Sequence, residues 1–186
     1  MTYSASLLPP SGGTALFAWG SGTTGGGSSF WAEVHGQVTR TLTDIGLDTS
    51  KLTIDLNLHH VDNEIDWRGE LTLPAGATID PAAEAVSVAL RSGGASVFEM
   101  TIPPGSFVAH PNGSYRYKFS SDSPAIEMRL TPRGGSLWEF RLSVEGIPLT
   151  IANRTQITGR LTIGDKVGTQ VMPMTDKGKR LEFKKP

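Results

Sequence analysis

From Lys51 onward the chain alternates apolar and polar residues with a period of two, a pattern that puts one face on a core and one in water only if the segment is a β-strand. Leu52, Ile54, Leu56 and Leu58 fall on one side, and Lys51, Thr53, Asp55 and Asn57 on the other. Ile65, Trp67, Leu71 and Leu73 repeat the arrangement against Asp66, Arg68, Glu70 and Thr72. Three more runs follow: Val86, Val88 and Leu90; Phe98, Met100 and Ile102; Tyr115, Tyr117 and Phe119. Pro and Gly clusters such as Pro74-Ala75-Gly76, Ser92-Gly93-Gly94 and Pro111-Asn112-Gly113 separate them and supply turns. The longest connection holds Asp80-Pro81-Ala82-Ala83-Glu84, which predicts one helical turn capped by Asp80. No long amphipathic helix is legible.

The order of the first half recurs in the second: Ile126, Met128 and Leu130; Trp138, Phe140, Leu142 and Val144; Ile157, Leu161 and Ile163; a strand near Thr169 to Met174; Leu181 and Phe183. Trp67 and Trp138 stand 71 residues apart, as do Leu71 and Leu142, Val86 and Ile157, and Leu90 and Leu161. One offset through two strands and the loop between them points to duplication. The fold expected is all-β: a duplicated antiparallel β-sandwich, or a pseudo-twofold barrel, of about ten strands. Residues 1–29 read as an N-terminal strand and Gly/Ser/Thr-rich linker, 30–122 as the first β unit and 123–186 as the second, with 30–186 sharing one core.

Leu71 to Leu90, followed by Thr101-Ile-Pro-Pro-Gly-Ser-Phe107 and the Tyr-Arg-Tyr-Lys-Phe strand at 115–119, resembles uncharacterised β-rich repeat domains of bacterial multidomain proteins over residues 48–186. The resemblance implies the duplicated β reading, and transfers no activity and no site residues.

Composition narrows the chemistry. Cysteine is absent, which removes disulfides, thiolate nucleophiles and Cys-containing zinc sites, leaving four histidines and the carboxylates. Seventeen basic and eighteen acidic residues give no global field for nucleic acid. Charge is uneven, however: residues 177–186 hold Lys177, Lys179, Arg180, Lys184 and Lys185 against Glu182 alone, which reads as a solvated edge strand and tail. No apolar run approaches the length of a membrane span, and no signal-peptide order is present at the start. Many Gly, Ser and Thr and few charges lean towards an extracellular or cell-surface location.

No catalytic motif is complete in the sequence. Gly159 to Lys166 begins like a P-loop, but Asp165 stands where the lysine is required. Carboxylate pairs such as Glu139 with Glu145, or Asp66 with Glu70, read as strand-surface charge. Asp62, Glu64 and Asp66 alternate beside Asn63 and are the candidate oxygen ligands for calcium; His59 and His60 are adjacent, and converge on a transition metal only if the turn bends between them. Asn112-Gly-Ser and Asn153-Arg-Thr fit the glycosylation triplet.

The N-terminal third carries the partner-binding candidates. Thr14 to Trp19 is an isolated β-favouring segment, with Gly20 to Ser29 as a flexible tether spanning roughly 17 Å. Leu16, Phe17 and Trp19 either fold back on the chain or are lent to a neighbouring copy by β-augmentation; Trp19, Phe30 and Trp31, if exposed, would stack on sugar rings or a protein surface. The function expected is a non-enzymatic structural or self-assembly module joined to other copies by its N-terminal strand. The alternative is a carbohydrate- or surface-binding β-sandwich, with calcium as its candidate cofactor.

Overall fold

The structure, a computed structural model, describes residues 15–19 and 32–36 as backbone and residues 41–56, 63–120 and 124–185 in full. Two compact units divide the chain, Met1–Thr41 and Leu42–Pro186. In the first, β1 (Ala15–Trp19) pairs antiparallel with β2 (Ala32–Gly36), with Leu16 opposite His35 and Phe17 opposite Val34.

The second unit is an all-β domain of thirteen strands in two sheets. They are β3 (Thr43–Asp44), β4 (Gly46–Asp55), β5 (Asn63–Thr72), β6 (Val86–Ser92), β7 (Ala95–Ile102), β8 (Val108–Ala109), β9 (Tyr115–Ser120), β10 (Ala125–Gly134), β11 (Leu137–Ile147), β12 (Gln156–Ile163), β13 (Lys166–Pro173), β14 (Thr175–Asp176) and β15 (Arg180–Lys184). Ten of them are the strands that alternation predicts. The other three, β3, β8 and β14, are two residues long, too short to show a period.

The larger sheet runs β14-β15-β4-β5-β11-β10-β9-β8 and the smaller β3-β13-β12-β6-β7. Apart from β3, each order reads outward from a central pair made of one strand from each half of the sequence. In the larger sheet that pair is β5 and β11, with Trp67 opposite Leu142 and Leu71 opposite Trp138. In the smaller it is β6 and β12, with Val88 opposite Leu161 and Val86 opposite Ile163. The outer hairpins cross over: β8 and β9 lie beside β10, whereas β14 and β15 lie beside β4. Both lie at one level of the sheet: β15 covers Lys51–Asp55 and β9 covers Ala125–Leu130, and the register sets both segments level with Glu64–Gly69 of β5.

Inward side chains of both sheets form one core that includes Leu52, Ile54, Trp67, Phe140 and Leu142 from the larger sheet and Val86, Leu90, Leu161 and Met172 from the smaller. Trp67 is fully buried, its ring edge-on to Phe140 at 5.1 Å and 80°. Its 71-residue counterpart Trp138 is only half buried and lies beside Tyr115 at 6.1 Å. The Trp67 ring is seated over Gly159 of β12, where an added Cβ would stand 2.6 Å from Cζ2 and 2.9 Å from the Met172 methyl. Only glycine leaves room for the indole there.

A bulge between Thr49 and Lys51 changes the phase of β4, so that Leu47 and Thr49 face inward before it and Leu52 and Ile54 after it. Both polar groups of the bulge are satisfied. The Thr49 amide donates to Gln170 Oε1 of the other sheet at 2.6 Å, and Thr49 Oγ1 accepts from Trp67 Nε1 at 3.0 Å. Opposite the bulge, a Cβ on Gly69 would stand 2.4 Å from the Asp48 carbonyl oxygen. At the ends of the sheets, buried Ser92 donates to the Asn153 carbonyl and accepts from the Asn153 amide, both at 2.6 Å.

The expected helical turn forms. Asp80 Oδ1 accepts from the Ala82 amide, the Asp80 carbonyl accepts from the Glu84 amide, and Glu84 Oε2 accepts from the Asp80 amide, which makes a capped single turn.

Candidate binding face

Because successive residues of a strand point to opposite sides, burying Leu52, Trp67, Leu142 and Met128 sends Lys51, Arg68, Arg141 and Arg129 outward. Strand register then fixes which of these stand side by side. Lys184 lies opposite Lys51, Lys51 opposite Arg68, Arg68 opposite Arg141, Arg141 opposite Arg129, and Arg129 opposite Arg116. Six cations therefore form one row across six adjacent strands, β15-β4-β5-β11-β10-β9, at the interstrand spacing of about 4.8 Å.

Like charges directly opposite one another on a sheet repel, so the row needs compensation. It comes from the row of residues immediately to one side, Glu182, Thr53, Asp66, Ser143, Glu127 and Lys118. Asp66 accepts from Lys51 Nζ at 3.0 Å and from Arg68 Nε and Nη2 at 2.9 and 2.8 Å, with Arg141 Nε at 3.7 Å. Glu127 takes Arg116 Nη2 at 2.7 Å and has Arg129 Nη2 at 3.8 Å. Two carboxylates thus hold five cations. On the other side Asp48, Glu70 and Glu139 form a second acidic border.

The electrostatics of Asp66 follow from this crowding. Burial alone would raise its pKa, but the hydrogen bonds from Arg68 and Lys51 outweigh burial and hold it below the usual carboxylate range. The hydrogen bond from Arg116 lowers Glu127 in the same way, against partial desolvation. Glu64 moves oppositely: partial desolvation, then the neighbouring charges of Glu145, Asp55 and Asp66, raise it.

Two surface depressions of about 340 Å³ flank one end of the row and share Arg129. One is lined by Lys118, Phe119 and Glu127 among others, and the other by His110, Asn112 and Arg116.

Of the residues singled out in the sequence, Glu64 and Asp66 lie on the outward face of β5, where Asp66 is engaged by cations. Asp62, His59, His60, Phe30 and Trp31 lie outside the described residues. Among the described residues no group of three His, Cys, Asp or Glu side chains is placed to hold a metal ion. Leu16, Phe17 and Trp19 lie in β1, whose backbone pairs with β2. No helix among the described residues is long and apolar enough to cross a membrane. The basic row is not legible in the sequence: even within the β10–β11 hairpin, the Gly134–Leu137 turn needs the bulge between Pro132 and Gly134 to set Arg129 against Arg141.

Comparison with family models, with curated proteins and with solved structures finds no match.

Proposed function

We propose that this chain is a non-enzymatic binding module, a duplicated β-sandwich that uses the outer face of its eight-stranded sheet as a platform for a carbohydrate or a charged surface. The observation that carries this reading is the in-register basic row, because six like charges in line are an electrostatic cost the fold itself does not require. Duplication is supported by the sheet orders, in which strands 71 residues apart become partners at the centre of each sheet. Self-assembly through β1 is a second reading, favoured by one feature: β1 and β2 form a two-stranded sheet, an arrangement marginal on its own and suited to docking on another edge.

The platform reading is tested by amide chemical-shift mapping of the labelled full chain titrated with a panel of soluble charged and neutral polysaccharides. Shifts should gather on β4, β5, β9, β10 and β11. Perturbations confined to the smaller sheet, or none with any member of the panel, would overturn the platform.

A further inference from the structure

We infer that the basic row is a track for a linear acidic polysaccharide, a flexible chain carrying one file of anionic groups. This inference rests on the platform reading and adds the chemistry of its ligand.

Five of the six cations share Asp66 and Glu127, while other acids on the borders of the row have cations of their own elsewhere: Glu182 pairs with Lys177, Glu139 with Arg133, and Asp48 with Lys185. Glu70 is the remaining border acid, and Lys118 adds a further cation. The row therefore keeps an excess of positive charge. Its side chains remain accessible, with Arg129 and Arg141 more than half exposed and Lys184 exposed. Neighbouring charges about 4.8 Å apart lie well inside a Debye length of about 10 Å at 0.1 M salt, so they act on a ligand as a line rather than as separate points.

Acids border the row on three strands of each side, Glu182, Asp66 and Glu127 on one and Asp48, Glu70 and Glu139 on the other, about 7 Å away along the strands. They repel a ligand with two files of charge, such as a nucleic acid duplex, and tolerate one with a single file. Strand twist of roughly 20–25° per strand turns successive side chains like the steps of a stair, which a flexible chain follows and a stiff rod does not.

The outward positions that pair across β15, β4, β5, β11, β10 and β9 are Lys, Arg, Asp, Glu, Ser, Thr, Ala, Gly and Leu, with no aromatic side chain among them; Phe119, an exposed ring in the depression at the end of the row, belongs by alternation to the other side of β9. Binding of single-stranded nucleic acid relies on bases stacking on aromatic rings. The face offers charge without stacking, as an acidic sugar polymer requires, one anionic group per sugar being of the same order as the strand spacing.

The test measures binding of the full chain to polygalacturonate and to dextran sulfate, with dextran as the neutral control and oligo-dT as the nucleic acid control. Arg129→Gln with Arg141→Gln should weaken binding of the charged polysaccharides on the order of tenfold at 0.1 M salt and lower the salt slope by about 1.4, as loss of two ionic contacts does on a single-stranded polyanion. Glu127→Gln, which frees Arg116 and Arg129 from their shared carboxylate, should strengthen it severalfold; Arg91→Gln, on the smaller sheet, should leave it unchanged. Opposite responses of the first two variants cannot arise from misfolding. Equal binding of dextran, or indifference to the row variants, overturns the polyanion track and leaves the platform standing. Tighter binding of oligo-dT with the same variant pattern overturns the polysaccharide assignment. No binding to any of the four polymers overturns the track, and the platform falls with it only if the mapping panel is also silent.

Discussion

Trp67→Ala is expected to cost about 3–5 kcal/mol, the range for removing a buried large aromatic from a packed core. Trp67 joins three parts of the domain: it stacks edge-on with Phe140 of β11, lies over Gly159 of β12, and donates to Thr49 in the bulge of β4. Urea denaturation read by far-UV circular dichroism should show a lower midpoint with an unchanged slope. Trp67→Phe separates the contributions, keeping a ring but losing the N–H, and should cost about 1–2 kcal/mol beyond its change in volume because Thr49 Oγ1 loses its donor. A loss below about 1 kcal/mol for the alanine variant would mean that the two sheets do not close on this side chain.

Asp66→Asn should cost about 1.5–3 kcal/mol at pH 7, since it removes the charge-assisted hydrogen bonds from Arg68 and Lys51 and leaves those cations uncompensated beside Arg141. The cost depends on pH in a defined direction. A carboxylate whose folded pKa is depressed contributes stability that is present above its unfolded value, near 3.8, and lost as pH falls through the folded value. Wild type and variant should therefore differ fully at pH 6 and converge as pH drops below about 3.8. Glu64 carries the opposite sign: its folded pKa is raised, so its ionised form is unfavourable and protonation relieves the fold as pH falls. Stability curves that stay parallel from pH 6 to pH 2 would contradict the role given to Asp66.

What the sequence made legible, and what it hid, follows from the range over which each signal acts. Period-two alternation is local, and it located Trp67, Leu142, Val86 and Leu161 on inward faces that bury them fully. It placed the start of the first strand at Lys51, whereas β4 begins at Gly46, because the bulge at Thr49 breaks the phase and hides the segment before it. β3, β8 and β14 form through partners rather than through their own patterns; Thr43 and Asp44 run parallel to β13 only because that edge is there. The 71-residue offset acts over a longer range: it relates the two strands that pair at the centre of each sheet.

The binding face was hidden for a different reason. Each of its cations occupies an ordinary outward position on its own strand, and the pattern exists only across strands. Hairpin arithmetic reaches little of it: the β9–β10 pairing sets Arg116 against Arg129, but the Gly134–Leu137 turn alone would set Arg129 against Leu142, and only the bulge between Pro132 and Gly134 moves it opposite Arg141. Joining Arg141 to Arg68, and Lys51 to Lys184, requires the β5–β11 and β4–β15 pairings, which bring together segments far apart in the chain. The sequence instead drew attention to Asp62, Glu64 and Asp66, a local cluster of acids; of these, Asp66 serves the row by holding Lys51 and Arg68.

Everything proposed for this face depends on register, and cross-strand nuclear Overhauser effects measure register directly. Backbone contacts should link Lys184 to Lys51, Lys51 to Arg68, Arg68 to Arg141, Arg141 to Arg129, and Arg129 to Arg116, in one unbroken line across six strands. A slip of one residue in any pair, such as Arg141 opposite Trp67 in place of Arg68, would turn that strand over, break the row and contradict the account.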